Sequence, residues 1–109
     1  MMPNNLPDTG LTESAIARIN AVFAEVPEIE QVILYGSRAK GTFRKGSDID
    51  LVIKGEAVDH SRLLHTEREL DDLLLPYTID LSLLHLIDNQ ELLDHIRRVG
   101  VGFYERNIP

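Results

Sequence analysis

One short stretch near the middle of the chain, residues 48–53, constrains the fold more than any other feature. It reads Asp-Ile-Asp-Leu-Val-Ile, so acidic and apolar residues alternate over its first half. Successive side chains of a β-strand point to opposite faces, so the pattern predicts a strand that packs Ile49, Leu51 and Ile53 into a core. The two aspartates then project together from the other face.

Those aspartates, Asp48 and Asp50, repel each other unless a cation lies between them. Carboxylate oxygens are the ligands that Mg²⁺ prefers. Further along the chain, Ile-Asp-Leu-Ser at residues 79–82 places Asp80 on the polar side of another predicted strand. If the two strands are neighbours, the three carboxylates could hold two Mg²⁺ ions about 3.5–4 Å apart for in-line phosphoryl displacement. Asp80 could also be the general base for the attacking hydroxyl.

A second feature precedes the aspartates, where the apolar run over residues 31–35 ends at Gly36 and Ser37. This pattern predicts a strand that enters a glycine turn, followed by one helical turn over residues 37–40. Glycine lets the backbone approach a phosphate, and the N–H groups at the start of a helix bind anions. The hydroxyl of Ser37 adds another donor. We therefore expect a phosphate-binding turn at the end of a strand next to the carboxylates.

The rest of the chain alternates helix and strand patterns. We expect helices over residues 12–25, 60–75 and 88–99, a loop over 42–47, and strands over 77–84 and 101–104. The second long helix is expected to present an apolar set to the core: Leu63, Leu70, Leu73 and Leu74. This order predicts an α+β fold with one mixed β-sheet and helices packed on it. The boundaries are a flexible leader over residues 1–10 and a single domain over residues 11–109.

The first and last helices carry capping signals. Thr12 is a plausible N-cap for the first helix. Asp88 followed by Glu91 resembles a capping box for the last helix. Gly100 is expected at the C-terminal end of that helix.

Composition excludes several classes of function. The chain has no cysteine, so disulfides and thiolate metal sites are excluded. Its net charge of −7 disfavours nucleic acid as a partner. No apolar run is long enough to span a membrane. The first residues lack the features of a signal peptide, which makes the cytoplasm the expected location.

The residues around both features resemble a known family. Gly36 and Ser37, ten further residues, and Asp-x-Asp at 48–50 match the GSx10DxD motif of the DNA polymerase beta nucleotidyltransferase superfamily. With Gly41 and Ser47 also in place, the pattern is similar to the minimal nucleotidyltransferase (MNT) group. The resemblance implies the nucleotidyltransferase fold, a mixed sheet with helices packed on it.

The resemblance also implies roles for these residues. Asp48 and Asp50 would bind Mg²⁺, and Asp80 lies on a later strand, where the family places its third carboxylate. Gly36 and Ser37 would hold the triphosphate of ATP or another nucleoside triphosphate.

Arg38 and Ser47 are weaker candidates for contacting phosphate oxygens. MNT proteins of this size are commonly encoded beside a helical HEPN protein and act as its antitoxin, in some cases by transferring AMP to a tyrosine of the HEPN ribonuclease. The resemblance therefore implies a Mg²⁺-dependent transferase, a HEPN-type partner and a hetero-oligomer.

Two other functions remain open at the level of sequence. The same fold could be a non-catalytic binding module that neutralises a partner by occlusion. It could also be a small-molecule nucleotidyltransferase of the aminoglycoside-modifying kind, although such enzymes usually need a further helical region for the acceptor.

Several other residues have plainer interpretations. The four histidines, His95 among them, lack the spacing of a helical metal pair and are expected at the surface or an interface. Packing is the expected role of Tyr35 and Tyr77. The last helix and the tail are expected to leave part of an apolar set exposed for a partner: Leu92, Leu93, Ile96 and Phe103.

Overall fold

A single mixed sheet forms the centre of the protein in this computed structural model, which describes residues 8–106. Its strands are β1 (Gln31–Tyr35), β2 (Ile49–Lys54), β3 (Ile79–Leu83) and β4 (Val101–Glu105). They lie in the order β3-β2-β1-β4; β1 is antiparallel to β2 and β4, and β2 is parallel to β3. The helices are α1 (Glu13–Ala24), α2 (Gly36–Lys40), α3 (His60–Asp71) and α4 (Gln90–Val99), with a short 3₁₀ helix at Leu84–Leu86. The predicted α+β class and the mixed sheet are confirmed.

The main core lies between one face of the sheet and helices α1 and α3. Ile49, Leu51 and Ile53 of β2 are fully buried there, as the alternation of the sequence predicted. Phe103 of β4 is fully buried in the same cluster. The expectation that Phe103 is partly exposed for a partner was therefore wrong, because β4 pairs with β1 and turns this ring toward the core.

The opposite face of the sheet is covered mainly by α4. Ile96 of this helix packs with Tyr35 and Val52 in a second, smaller apolar cluster. Leu92 and Leu93 are only half-buried, whereas Ile96 is almost wholly buried. Because this cluster is small, the polar side chains of β2 and β3 remain accessible beside it.

Caps explain where α1 and α4 begin. The Thr12 hydroxyl accepts a hydrogen bond from the backbone N–H of Ala15 at 3.0 Å, as predicted. At α4 the predicted capping box was wrong by one residue. The N-cap is Asn89, whose side-chain oxygen accepts from the backbone N–H groups of Glu91 and Leu92 at 2.9 and 3.2 Å. This amide oxygen serves two donors of the first turn and so fixes the helix start.

Helix α3 is shorter than predicted, because it ends at Asp71 and not near Leu75. The backbone N–H of Leu74 donates to the carbonyl of Asp71, three residues back, at 3.1 Å. Leu74 has a positive φ of 54° and its side chain is 88% exposed, so its predicted place in the core was wrong. The left-handed φ of Leu74 does not continue the helix, and Pro76 disfavours the helical conformation of Leu75.

The N-terminal segment is partly within the described region. Residues 1–7 of the predicted leader lie outside it. Thr9 is buried and its carbonyl accepts a hydrogen bond from Nη1 of Arg38 at 2.8 Å, so this end of the leader is packed and not loose. Over residues 8–106, none of the helices has the length and apolar character needed to cross a membrane.

Candidate active site

Three polar side chains form a row across the sheet on the face that α4 covers. Tyr35 of β1 is opposite Asp50 of β2, and Asp50 is opposite Asp80 of β3. Residues that are opposite each other in a sheet have their side chains on the same face. The adjacency of the β2 and β3 strands, on which the three-carboxylate hypothesis depended, is therefore present. Asp80 is exposed on the edge strand, whereas Asp50 is half-buried in the middle of the row.

The carboxylates affect one another electrostatically. Burial raises the pKa of the Asp50 carboxyl, and the negative charges of Asp80 and Asp48 raise this pKa further, while His95 opposes the shift. Asp48 is exposed and directly precedes β2. Asp50 and Asp80 are thus neighbours across the sheet, the charge of Asp48 also acts on Asp50, and holding Asp50 ionised there costs folding free energy.

Gly36 connects the carboxylates to the turn that follows β1. Its φ is +75°, in the left-handed region that glycine adopts without steric cost. A Cβ atom built at this position would collide with the carboxylate of Asp50. Glycine is therefore required twice over, once for the backbone conformation and once for the close approach of the turn to Asp50.

Ser37 follows Gly36 in the first turn of α2 and is half-buried. Its carbonyl accepts from the backbone N–H of Thr42 at 3.0 Å, which helps to end this short helix. Gly41 is the C-cap with a φ of 79°. The helical turn predicted after Gly36 is confirmed, and it places the Ser37 segment beside Asp50.

Arg38 is placed differently from the expectation of a phosphate contact. Its side chain is buried, and Nε and Nη2 donate to the carbonyl of Ser47 at 3.2 and 2.9 Å. Its Nη1 donates to the carbonyl of Thr9. The guanidinium carbon also lies 5.2 Å from the ring centroids of both Phe43 and Tyr77. The guanidinium thus connects α2 with the segment at Thr9, the loop over residues 43–47 and Tyr77. This geometry gives Arg38 a structural role.

Ser47 is also engaged within the loop that leads to Asp48. Its hydroxyl accepts from the backbone N–H of Arg44 at 2.8 Å, and its own N–H donates to the Arg44 carbonyl at 3.0 Å. These bonds, together with those from Arg38 to its carbonyl, fix the residue immediately before the first acid of the site.

His95 is a site residue that the sequence interpretation missed. Its Nε2 accepts a hydrogen bond from the backbone N–H of Gly36 at 3.2 Å. Its ring meets that of Tyr35 edge-on, with the centroids 6.1 Å apart and the planes at 80°. The prediction of a surface or interface position did not identify this contact, which arises because α4 lies across the polar face of the sheet. One signal was available: His95 occupies a position of the apolar stripe that Leu92 and Ile96 define at helical spacing.

Tyr35 is the other missed member of the site. Burial raises the pKa of its phenol, and the charges of Asp80 and Asp50 raise it further. The phenol therefore stays neutral next to the carboxylates. A packing role had been expected, and the ring is indeed buried, but its hydroxyl belongs to the polar row.

The fit of these residues to Mg²⁺ is partial. Nowhere in residues 8–106 do three or more His, Asp or Glu side chains stand close enough together to make a complete metal site. However, burial and then the negative charges of Asp80 and Asp48 raise the pKa of Asp50, so a cation beside it would favour its ionised form. Mg²⁺ commonly binds through one or two carboxylates and completes its shell with water and substrate phosphates. The donors therefore suit Mg²⁺ that arrives together with a triphosphate.

Comparison with known proteins gives a family and a fold. The family model described as "Polymerase beta, Nucleotidyltransferase" matches residues 17–109, which is most of the chain. No curated protein matches the sequence. A chain from the crystal structure of a toxin–antitoxin pair with AMP-PNP is similar with a TM-score of 0.67 at 21% identity, over 89% of this chain and 76% of that one.

Two further solved structures are similar at 16% identity. One is the complex of a tri-AMPylated Shewanella oneidensis HEPN toxin with an MNT antitoxin, with a TM-score of 0.65 over 88% of this chain and 74% of that one. The other is the MntA-HepT toxin–antitoxin pair, with a TM-score of 0.64 over 87% and 74%. At these identities the likeness establishes a shared fold and nothing finer.

Proposed function

Because the chain belongs to the polymerase beta nucleotidyltransferase family, we propose that it transfers AMP from ATP, with Mg²⁺, to a hydroxyl group of a HEPN-type helical partner, and that it is the antitoxin of that partner. One observation carries this proposal: Asp50 lies against Asp80 of the next strand and also against Gly36 of the phosphate turn. The acid proposed to bind the metal and the turn proposed to bind phosphate therefore lie side by side, which supports transfer from a triphosphate.

The turn at Gly36 and Ser37 would receive the triphosphate. The backbone N–H and the hydroxyl of Ser37 are suitable donors for phosphate oxygens. That a similar solved structure contains AMP-PNP supports ATP as the nucleotide.

Asp48, Asp50 and Asp80 would hold two Mg²⁺ ions together with the triphosphate. When bound, these ions would offset the phosphate charge and lower the pKa of the attacking hydroxyl. Asp80, exposed on the edge strand, is within reach of an acceptor and would accept the proton of its hydroxyl. The acceptor oxygen then forms a bond to the α-phosphorus while the bond to the pyrophosphate leaving group breaks.

A protein is the proposed acceptor because the site is open. Asp48 and Asp80 are both exposed, and the described chain has a single sheet with no second domain above them. A macromolecule that docks there could supply the missing wall of the site. Two similar structures, that of a tri-AMPylated HEPN toxin with an MNT antitoxin and that of the MntA-HepT pair, support a HEPN-type partner in a hetero-oligomer. Location in the cytoplasm stays a prediction.

Label transfer from α-³²P-ATP tests this proposal. The purified chain is incubated with Mg²⁺ and a lysate of the native host, and the wild type is compared with Asp50→Asn. Asp71→Asn is the matched control, because Asp71 is an exposed acid at the end of α3. We expect a labelled protein with the wild type and the control, and none with Asp50→Asn.

Equal labelling by Asp50→Asn would contradict the proposed site. If no form labels any protein but all of them still neutralise the partner, the chain is instead a binding module that acts by occlusion.

A further inference from the structure

His95 contacts the phosphate turn through Gly36, and its ring meets that of Tyr35 beside the turn. We propose that His95 is a positioning residue that holds the Gly36 turn in the conformation that binds the triphosphate. This inference rests on the nucleotidyltransferase function proposed above. It concerns a residue outside the Gly-Ser and Asp-x-Asp motifs, contributed by α4 from 59 positions further along the chain.

The need for such a residue follows from the glycine. Gly36 must lack a Cβ because of Asp50, but glycine has more backbone freedom than any other residue. A phosphate-binding turn that begins with a free glycine would lose this freedom each time a nucleotide binds. The hydrogen bond from the Gly36 N–H to Nε2 of His95 fixes the peptide between Tyr35 and Gly36 beforehand. Nε2 is the acceptor of this bond.

The imidazole is itself held in place. The edge-on contact with Tyr35 orients the ring. The next residue, Ile96, is buried in the apolar cluster of this face, and Asn89 fixes the first turn of α4. His60, His65 and His85 are all exposed, whereas His95 is half-buried. An acceptor held by a packed helix is thus directed at the backbone N–H of Gly36, the residue of the turn with a left-handed φ.

Two measurements on the full chain test this role. The first is the exchange rate of the Gly36 backbone N–H in ¹⁵N-labelled protein without nucleotide, which reports the hydrogen bond alone. The second is the dissociation constant of Mg²⁺-ATP by calorimetry. The variants are His95→Ala, His95→Gln, which retains an acceptor at the end of a similar side chain, and His65→Ala as the control on an exposed helical histidine.

We expect faster exchange of the Gly36 N–H and about three- to tenfold weaker Mg²⁺-ATP binding in His95→Ala, the loss that one hydrogen bond of ordinary strength produces. His95→Gln should recover most of both properties, and His65→Ala should change neither. Recovery by glutamine separates the acceptor role from ring packing, which glutamine does not restore.

Two results would overturn the inference alone. Unchanged Mg²⁺-ATP binding in His95→Ala would mean that the turn needs no external acceptor. Tighter binding would mean that His95 competes with phosphate for the Gly36 N–H. If the wild-type chain binds no Mg²⁺-ATP at all, the proposed function fails, and the inference fails with it.

Discussion

Gly36→Ala is the substitution whose cost the structure defines most closely. The new Cβ would have to tolerate a φ of +75°, and it would also collide with the carboxylate of Asp50. The left-handed conformation costs an L-residue about 1–2 kcal/mol. Forcing extra volume into a packed position costs about 1–3 kcal/mol more. We therefore expect Gly36→Ala to lower the free energy of unfolding by about 2–5 kcal/mol.

Gly41→Ala is a matched control that separates the two contributions. Gly41 has nearly the same φ, +79°, but no atom lies within 4 Å of a Cβ built there. It should lose only the conformational part, about 1–2 kcal/mol. The difference between the two variants, about 1–3 kcal/mol, corresponds to about 4–12 °C in the melting temperature of a domain of this size.

A double-mutant cycle with Asp50→Ala assigns this difference to its cause. In the Asp50→Ala background the collision is removed, so Gly36→Ala should then cost no more than Gly41→Ala. Urea unfolding monitored by circular dichroism measures all four forms of the cycle and the control. Equal costs for Gly36→Ala and Gly41→Ala, or a zero coupling with Asp50, would refute the close approach of the turn and the acid.

Three further substitutions test other parts of the structure. Asp50→Asn should raise the melting temperature at neutral pH without Mg²⁺. The pKa of Asp50 is raised in the folded state, so the folded protein loses stability as the pH rises from 3.8, the ordinary pKa of this carboxyl, through its folded-state pKa. The gain should shrink in melting curves taken toward acid pH, and an equal gain at all pH values would contradict it. Arg38→Ala should lower the free energy of unfolding by about 3–5 kcal/mol, since it removes a buried cation and its hydrogen bonds to two carbonyls. A loss below about 1 kcal/mol in urea unfolding would show that the guanidinium is not structural. Leu74→Gly should stabilise the chain by about 0.5–1 kcal/mol, because Leu74 is exposed with a φ of 54°, and a lower melting temperature would be the opposite result.

The alternation of residues was sufficient to predict the two faces of β2. Ile49, Leu51 and Ile53 are buried because one face of the strand meets α1 and α3. The three side chains share a face whatever the pairing register of the strand, because the side-chain period is two. The contact between Asp50 and Asp80 was predicted only on the condition that their strands are neighbours. Sequence periodicity does not determine the order of strands in a sheet, so the structure was needed to show that β2 and β3 pair in parallel.

Residues whose role depends on a distant segment could not be predicted from local patterns. His95 reaches Gly36 because α4 crosses the polar face of the sheet. The apolar stripe of the last helix indicates that His95 faces the sheet, but not which face of the sheet the helix covers. Arg38 has the appearance of a phosphate ligand beside Gly36 and Ser37. Its environment is decided instead by carbonyl groups and rings from other segments, Thr9 among them.

The end of α3 shows a different limit. Leucines continue at helical spacing beyond Asp71, so the hydrophobic pattern extends past the end of the helix. Leu74 instead takes a left-handed φ of 54°, which no helix continues through, and Pro76 restricts only Leu75. Hydrophobic periodicity does not reveal such a left-handed residue, so it overestimates the length of this helix.

The most direct test of the proposed reaction compares the fate of two phosphorus atoms of ATP. The chain is incubated with Mg²⁺ and host lysate, once with α-³²P-ATP and once with γ-³²P-ATP, and the protein-bound label is counted. Transfer of AMP predicts that the α-label becomes bound to a protein and that the γ-label leaves with pyrophosphate. Protein-bound γ-label that requires Asp50, or no protein-bound label from a wild-type chain that binds Mg²⁺-ATP, would contradict transfer of AMP to a protein partner.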